Sequence, residues 1–104
     1  MTEHDFSQLY EQYPTIIQQM EETFTSHKFI LKLAQQNQTQ YVEALYTYRD
    51  NEHRGTPAPF RVVHMILAQH LNSLPAFVIK IRDNAPSKDI FRRDNQCAEW
   101  RKVS

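Results

Sequence analysis

Apolar residues recur at Phe6, Leu9, Tyr10, Tyr13, Ile16, Ile17, Met20 and Phe24, in steps of three and four. That is the period of a helix with one buried face. Asp5, followed by Gln8 three positions later, resembles a capping box at its start. Pro14 falls inside the stripe. Proline removes a helical hydrogen bond and clashes with the preceding turn, so a kink or a restart is expected there. Thr25 and Ser26 offer side-chain oxygens to the free amides of a second helix, with Phe29, Ile30, Leu33 and Ala34 as its apolar stripe. The polar run 35–38 ends it. Thr39 is the expected cap of a third helix carrying Tyr41, Val42, Leu45 and Tyr46. The run Asp50-Asn51-Glu52-His53-Arg54-Gly55 reads as a loop. A fourth helix is expected to open at Thr56 and Pro57 and to place Phe60, Val63, Ile66, Leu67, His70, Leu71 and Leu74 on its core face. Asn72, Ser73 and Pro75 end it.

The pattern changes after Pro75. Phe77, Ile79 and Ile81 alternate with Val78, Lys80 and Arg82, a period of two among good strand formers, which predicts a strand. A short helix over 76–82 is the competing reading, because brief apolar runs satisfy both periods. Residues 83–87 read as a turn. Residues 97–103 alternate again, with Ala98 and Trp100 inward, as a returning strand. The expected fold is therefore mainly α within the α+β class: about four helices followed by a C-terminal β-hairpin. No repeat and no internal boundary divides residues 1–104, so one domain is expected.

Composition narrows the picture modestly. Apolar residues make up 40% of the chain and charged residues 23%, which suits a globular domain and not a disordered one. The twelve basic and twelve acidic side chains balance, but unevenly along the chain. Residues 1–26 hold five acids and no Lys or Arg, whereas residues 80–104 hold seven basic residues against four acidic. The asymmetry fits either an anionic partner for the basic end or packing of the two ends on each other. A lone cysteine, Cys97, suits a reducing compartment. The acidic start does not look like a secretory leader, and no apolar run has the length of a membrane span. A cytoplasmic protein with no membrane partner is expected.

Several chemistries lack their residues. Gly55 is the single glycine, which excludes a glycine-rich phosphate loop. The five histidines contain no i, i+4 pair and no His-Glu-x-x-His, so no metal site is expected. Glu21 and Glu22 are adjacent and diverge around a helix, unlike facing catalytic carboxylates. No catalytic group and no cofactor is expected, and the chain reads as non-enzymatic.

The order helix, helix, helix, strand, basic loop, strand over residues 26–103 resembles the winged helix-turn-helix superfamily, with residues 1–24 as an N-terminal helical extension. The resemblance lies in element order, not in a signature motif. It implies a DNA-binding or transcription-related protein whose recognition helix is Pro57–Ser73 and whose wing spans 83–96. On that helix Arg61, His64, Met65, Gln69 and Asn72 point away from the expected core face. Arginine pairs with guanine edges, and Gln or Asn with adenine edges. Lys80, Arg82, Arg92 and Arg93 on the hairpin are suited to phosphates or a minor groove. The candidate nucleic-acid residues are thus Arg61, His64, Gln69, Asn72, Lys80, Arg82, Arg92 and Arg93, and the candidate partner is double-stranded DNA. The alternative is a protein-interaction module or adaptor that grips another protein or a second copy of itself through amphipathic helices.

Overall fold

The computed structural model describes residues 4–49, 58–88 and 94–103. They form an α+β fold of five α-helices and a three-stranded antiparallel sheet. Helix α1 (Ser7–Glu11) stops at Gln12, and α2 (Tyr13–Gln19) restarts with Pro14 in its first turn. Of the expected capping box only Asp5 acts, accepting the Ser7 N–H at 2.9 Å. The apolar stripe then leaves the helical path: Met20 is extended, and Thr23–Thr25 form a strand, β1. Three residues are too few to show a period of two, and Phe24 happens to fall on the helical stripe. The expectation of helix through Phe24 is corrected on this point.

Helix α3 (Ser26–Gln36) begins where its cap predicts, with the Thr25 hydroxyl accepting the Lys28 N–H. Helix α4 (Gln38–Thr47) follows after Asn37 alone. Its cap is Asn37 and not Thr39, and the Asn37 amide turns back to the Leu33 carbonyl. Tyr41 and Ala44 face inward, while Val42 and Tyr46, expected on the apolar stripe, are exposed. Helix α5 (Pro59–His70) ends in a 3₁₀ turn at Leu71–Ser73. It starts with Pro59 in its first turn; Thr56 and Pro57 lie outside the described residues. Phe60, expected in the core, is exposed in that turn.

The hairpin consists of β2 (Val78–Lys88) and β3 (Asp94–Lys102). Segment 78–82 is strand, which removes the helical alternative. Strand β2 also runs through Asp83–Ser87, where a turn is expected. Two register shifts against β3, between Lys80 and Arg82 and between Arg82 and Ala85, accommodate those turn-forming residues as irregularities within the ladder. The sheet order is β1-β3-β2, with Thr23, Phe24 and Thr25 opposite Arg101, Trp100 and Glu99.

The helices cover one face of the sheet, and a single cluster of buried side chains joins every layer. Leu9, Tyr13, Ile16 and Ile17 of the first two helices meet Phe29, Ile30 and Leu33 of α3, Val63 and Leu67 of α5, and Val78 and Trp100 of the sheet. The N-terminal helices therefore turn their apolar face into this core. Buried Tyr13 satisfies its hydroxyl by donating to the Leu67 carbonyl, and burial pushes its pKa far above the tyrosine range. The acidic start and the basic end do pack together, by a route charge counting does not foresee. Lys102 donates its backbone N–H to the Glu22 carbonyl, and its ammonium donates to the carbonyls of Gln18 and Met20 at 3.3 and 2.9 Å. A cation thus closes the C-terminal end of α2.

Candidate nucleic-acid interface

Helix α5 has two unlike faces. Val63, Leu67 and Leu71 are buried to 1% exposure or less, and they hold the helix on α3 and α4. On the other side Arg61, Met65, Gln69 and Asn72 are exposed. The spacing of four, four and three stacks them into one ridge along the helix and its 3₁₀ extension. Three of the expected contact residues, Arg61, Gln69 and Asn72, lie on that ridge.

His64 does not. It is half-buried, with Nε2 hydrogen-bonded to the Tyr41 hydroxyl and its ring stacked 5.7 Å from that tyrosine. It ties α5 to α4 and also lines the hollow that Met65, Gln69 and Asn72 border. Burial pushes the pKa of Tyr41 up to about 12, so its hydroxyl keeps its proton through the neutral range.

Met65, Gln69 and Asn72 border a hollow of about 270 Å³ whose opposite wall includes Lys80, Cys97 and Trp100. The ridge and the hairpin consequently frame the same side of the molecule. Trp100 forms the floor, its indole N–H donating to the Ser26 hydroxyl at 2.9 Å. Trp100 and Ser26 belong to the architecture of this hollow, yet no local pattern marks them, because 74 positions separate them.

The hairpin cations are more engaged than their spacing suggests. Lys80 lies 3.3 Å from the Asp83 carboxylate and 5.4 Å above the Trp100 ring. Arg82 pairs with Glu99 at 2.7 Å. Each carries a carboxylate that partly cancels its field, although both pairs are solvent-exposed on one side and readily rearranged. Arg101 of β3 is exposed. Arg92 and Arg93, and most of the expected wing between 83 and 96, lie outside the described residues or within the strands.

Elsewhere, His70 stacks on Tyr10 at 3.6 Å and meets the Tyr13 ring edge-on at 4.9 Å. Desolvation in this aromatic setting lowers its pKa. Among the described residues, no group of three or more His, Cys, Asp or Glu is placed to hold a metal ion. Nor is any helix among them long and apolar enough to cross a membrane. No protein-family model, curated protein or solved structure matches the chain.

Proposed function

We propose that the protein is a small, non-enzymatic DNA-binding or transcription-related protein of winged-helix type, acting in the cytoplasm. One observation carries this reading. The exposed ridge Arg61–Met65–Gln69–Asn72 and the hairpin residue Lys80 frame one side of the molecule, with Met65, Gln69, Asn72 and Lys80 around a single hollow. A duplex approached from that side meets a helix bearing base-reading side chains and a hairpin bearing cations. The order α3, α4, α5, β2, β3 is also that of the superfamily the sequence resembles. In this reading α5 enters the major groove, and the hairpin, with Lys80, Arg82, Arg92 and Arg93, lies along the backbone. His64, at the same hollow, fixes α5 through Tyr41.

Fluorescence anisotropy of a labelled duplex, titrated with the protein at ~50 and ~200 mM salt, tests the reading, because phosphate contacts release counterions and make affinity salt-dependent. Binding that weakens steeply at the higher salt is the expected result. No binding at the lower salt overturns it.

A further inference from the structure

The hollow beside α5 is closed by three further elements. The first turn of α3 supplies Ser26 and His27, β2 supplies Lys80, and β3 supplies Ala98 and Trp100. Its interior is apolar, because buried Ile30 and Trp100 and half-buried Ala68 and Ala98 meet there. The indole N–H of Trp100 is already given to Ser26, so that side chain offers the space carbon surface only. Gln69, Asn72 and Lys80 line the same hollow but are exposed, which sets them at its mouth. The sign of the charge there is one-sided. Among the described residues that line the hollow none is Asp or Glu, whereas the Lys80 ammonium stands 5.4 Å above the Trp100 ring. The N-terminal end of α3 borders the space as well and adds the positive end of a helix dipole. Asp83 holds Lys80 from outside at 3.3 Å, with its own side chain 80% exposed. A pair so exposed is weak and exchanges readily for another carboxylate.

We infer that the hollow is a binding site for a small aromatic carboxylate, whose anionic group replaces Asp83 at Lys80 and whose ring lies over Trp100, Ile30 and Ala68. An apolar space with a few polar groups at its mouth is the usual make-up of a small-molecule site. The volume of about 270 Å³ lies just below the ~300–1,000 Å³ of sites for drug-sized ligands, so it suits a body of a single or fused ring. The amides of Gln69 and Asn72 bring N–H donors for the carboxylate oxygen that Lys80 does not take. Each half of the ligand is needed. A simple anion uses Lys80 but leaves the apolar interior in water, and a ring bearing a cation meets Lys80 with like charge. This inference is independent of the nucleic-acid reading, since a pocket for a small anion needs no duplex.

Amide-detected NMR titration of the full chain with sodium benzoate tests it, with acetate and benzylamine as the anion without a ring and the ring with a cation. Benzoate is expected to give saturable shifts at the Trp100 indole N–H and the Gln69 and Asn72 side-chain amides. A Kd on the order of 1 mM is the scale for a ligand of so few atoms. Acetate and benzylamine are each expected to bind about tenfold more weakly or not at all, the factor that one charge-assisted contact or one buried ring supplies. Lys80→Met keeps the apolar stem at an exposed position, where folding is not at risk, and is expected to weaken benzoate about tenfold. The inference is overturned if benzoate shifts stay linear or fall outside the hollow, or if Lys80→Met binds benzoate as the wild type does. Acetate binding as tightly as benzoate reduces the site to a surface ion contact, and benzylamine binding as tightly removes the charge selection. Either result also overturns it.

Discussion

The Trp100 indole donates its N–H to the hydroxyl of Ser26, 2.9 Å away, and both residues are only 2% exposed. The Ser26 hydroxyl in turn donates to the Ala98 carbonyl at 3.4 Å. One small polar residue at the start of α3 thus satisfies the only polar atom of the sheet's largest side chain. Ser26→Ala leaves the buried indole N–H without its protein acceptor, which costs about 1–3 kcal/mol. Urea unfolding is expected to show a lower midpoint with an unchanged slope. Ser26→Thr, which keeps the oxygen, is expected to recover part of the loss.

Lys102 acts as a remote cap. Its ammonium reaches the carbonyls of Gln18 and Met20, closing α2 from the far end of the chain. Lys102→Met keeps the apolar stem and removes the charge. Its expected effect is a destabilisation of about 1 kcal/mol, the scale of a cation at a helix C-terminus. Addition of salt to the wild type should reproduce only part of it, since the ammonium is partly sheltered. A variant as stable as the wild type in thermal melts would show that the contact is incidental.

Much of this arrangement was legible in the sequence, for particular reasons. The period of three and four exposed α3, and the cap at Thr25 marked its first turn. Pro14 announced the break between α1 and α2 because the missing N–H is tolerated only in a first turn. The alternation of Val78–Arg82 against 97–103 marked the hairpin. Strand β1 was illegible, since its three residues acquire their identity only by pairing with Arg101, Trp100 and Glu99. Asp83–Ser87 carries turn formers, and only the ladder with β3 holds it as strand. The ridge Arg61–Gln69–Asn72 followed from helix geometry alone. The contact of His64 with Tyr41 did not, because the two lie 23 positions apart. The carboxylates on Lys80 and Arg82 were equally hidden as partners, Glu99 lying on the neighbouring strand.

His70 predicts a pH dependence. Its pKa in the fold is lowered from 6.5, chiefly by desolvation, and it faces Tyr10 and Tyr13 with Ser73 at its Nδ1. A histidine with a depressed folded pKa binds its proton more readily when unfolded. Its contribution is therefore fully present above pH 6.5 and is lost as pH falls from there through the folded value. His70→Phe keeps an aromatic stack on Tyr10 and cannot titrate. The midpoint difference between wild type and His70→Phe, measured in urea from pH 7.5 to 5, is expected to move against the wild type as pH falls. A constant difference across that window would remove the assignment.

Arg61 distinguishes positioning by phosphate contact from reading of bases. It stands at the start of the exposed ridge and carries that ridge's only permanent charge. If it lies against a phosphate, Arg61→Ala weakens binding about equally for all duplexes and lowers the salt slope by about 1. If it pairs with guanine O6 and N7, the loss is about 1–3 kcal/mol at one base position and specificity relaxes there alone. Gln69→Ala is expected to change preference between sequences with little change in salt slope, because an amide releases no counterion. Anisotropy competition with a small set of duplexes, repeated at two salt concentrations, reads both quantities. Tyr41→Phe separates the supporting role of His64 from a direct one. It removes the hydroxyl that holds the imidazole while leaving every ridge side chain in place. Loss of sequence preference without loss of salt dependence in Tyr41→Phe would mean that α5 must be held in a fixed orientation to read bases. Unchanged preference would place recognition on the hairpin instead.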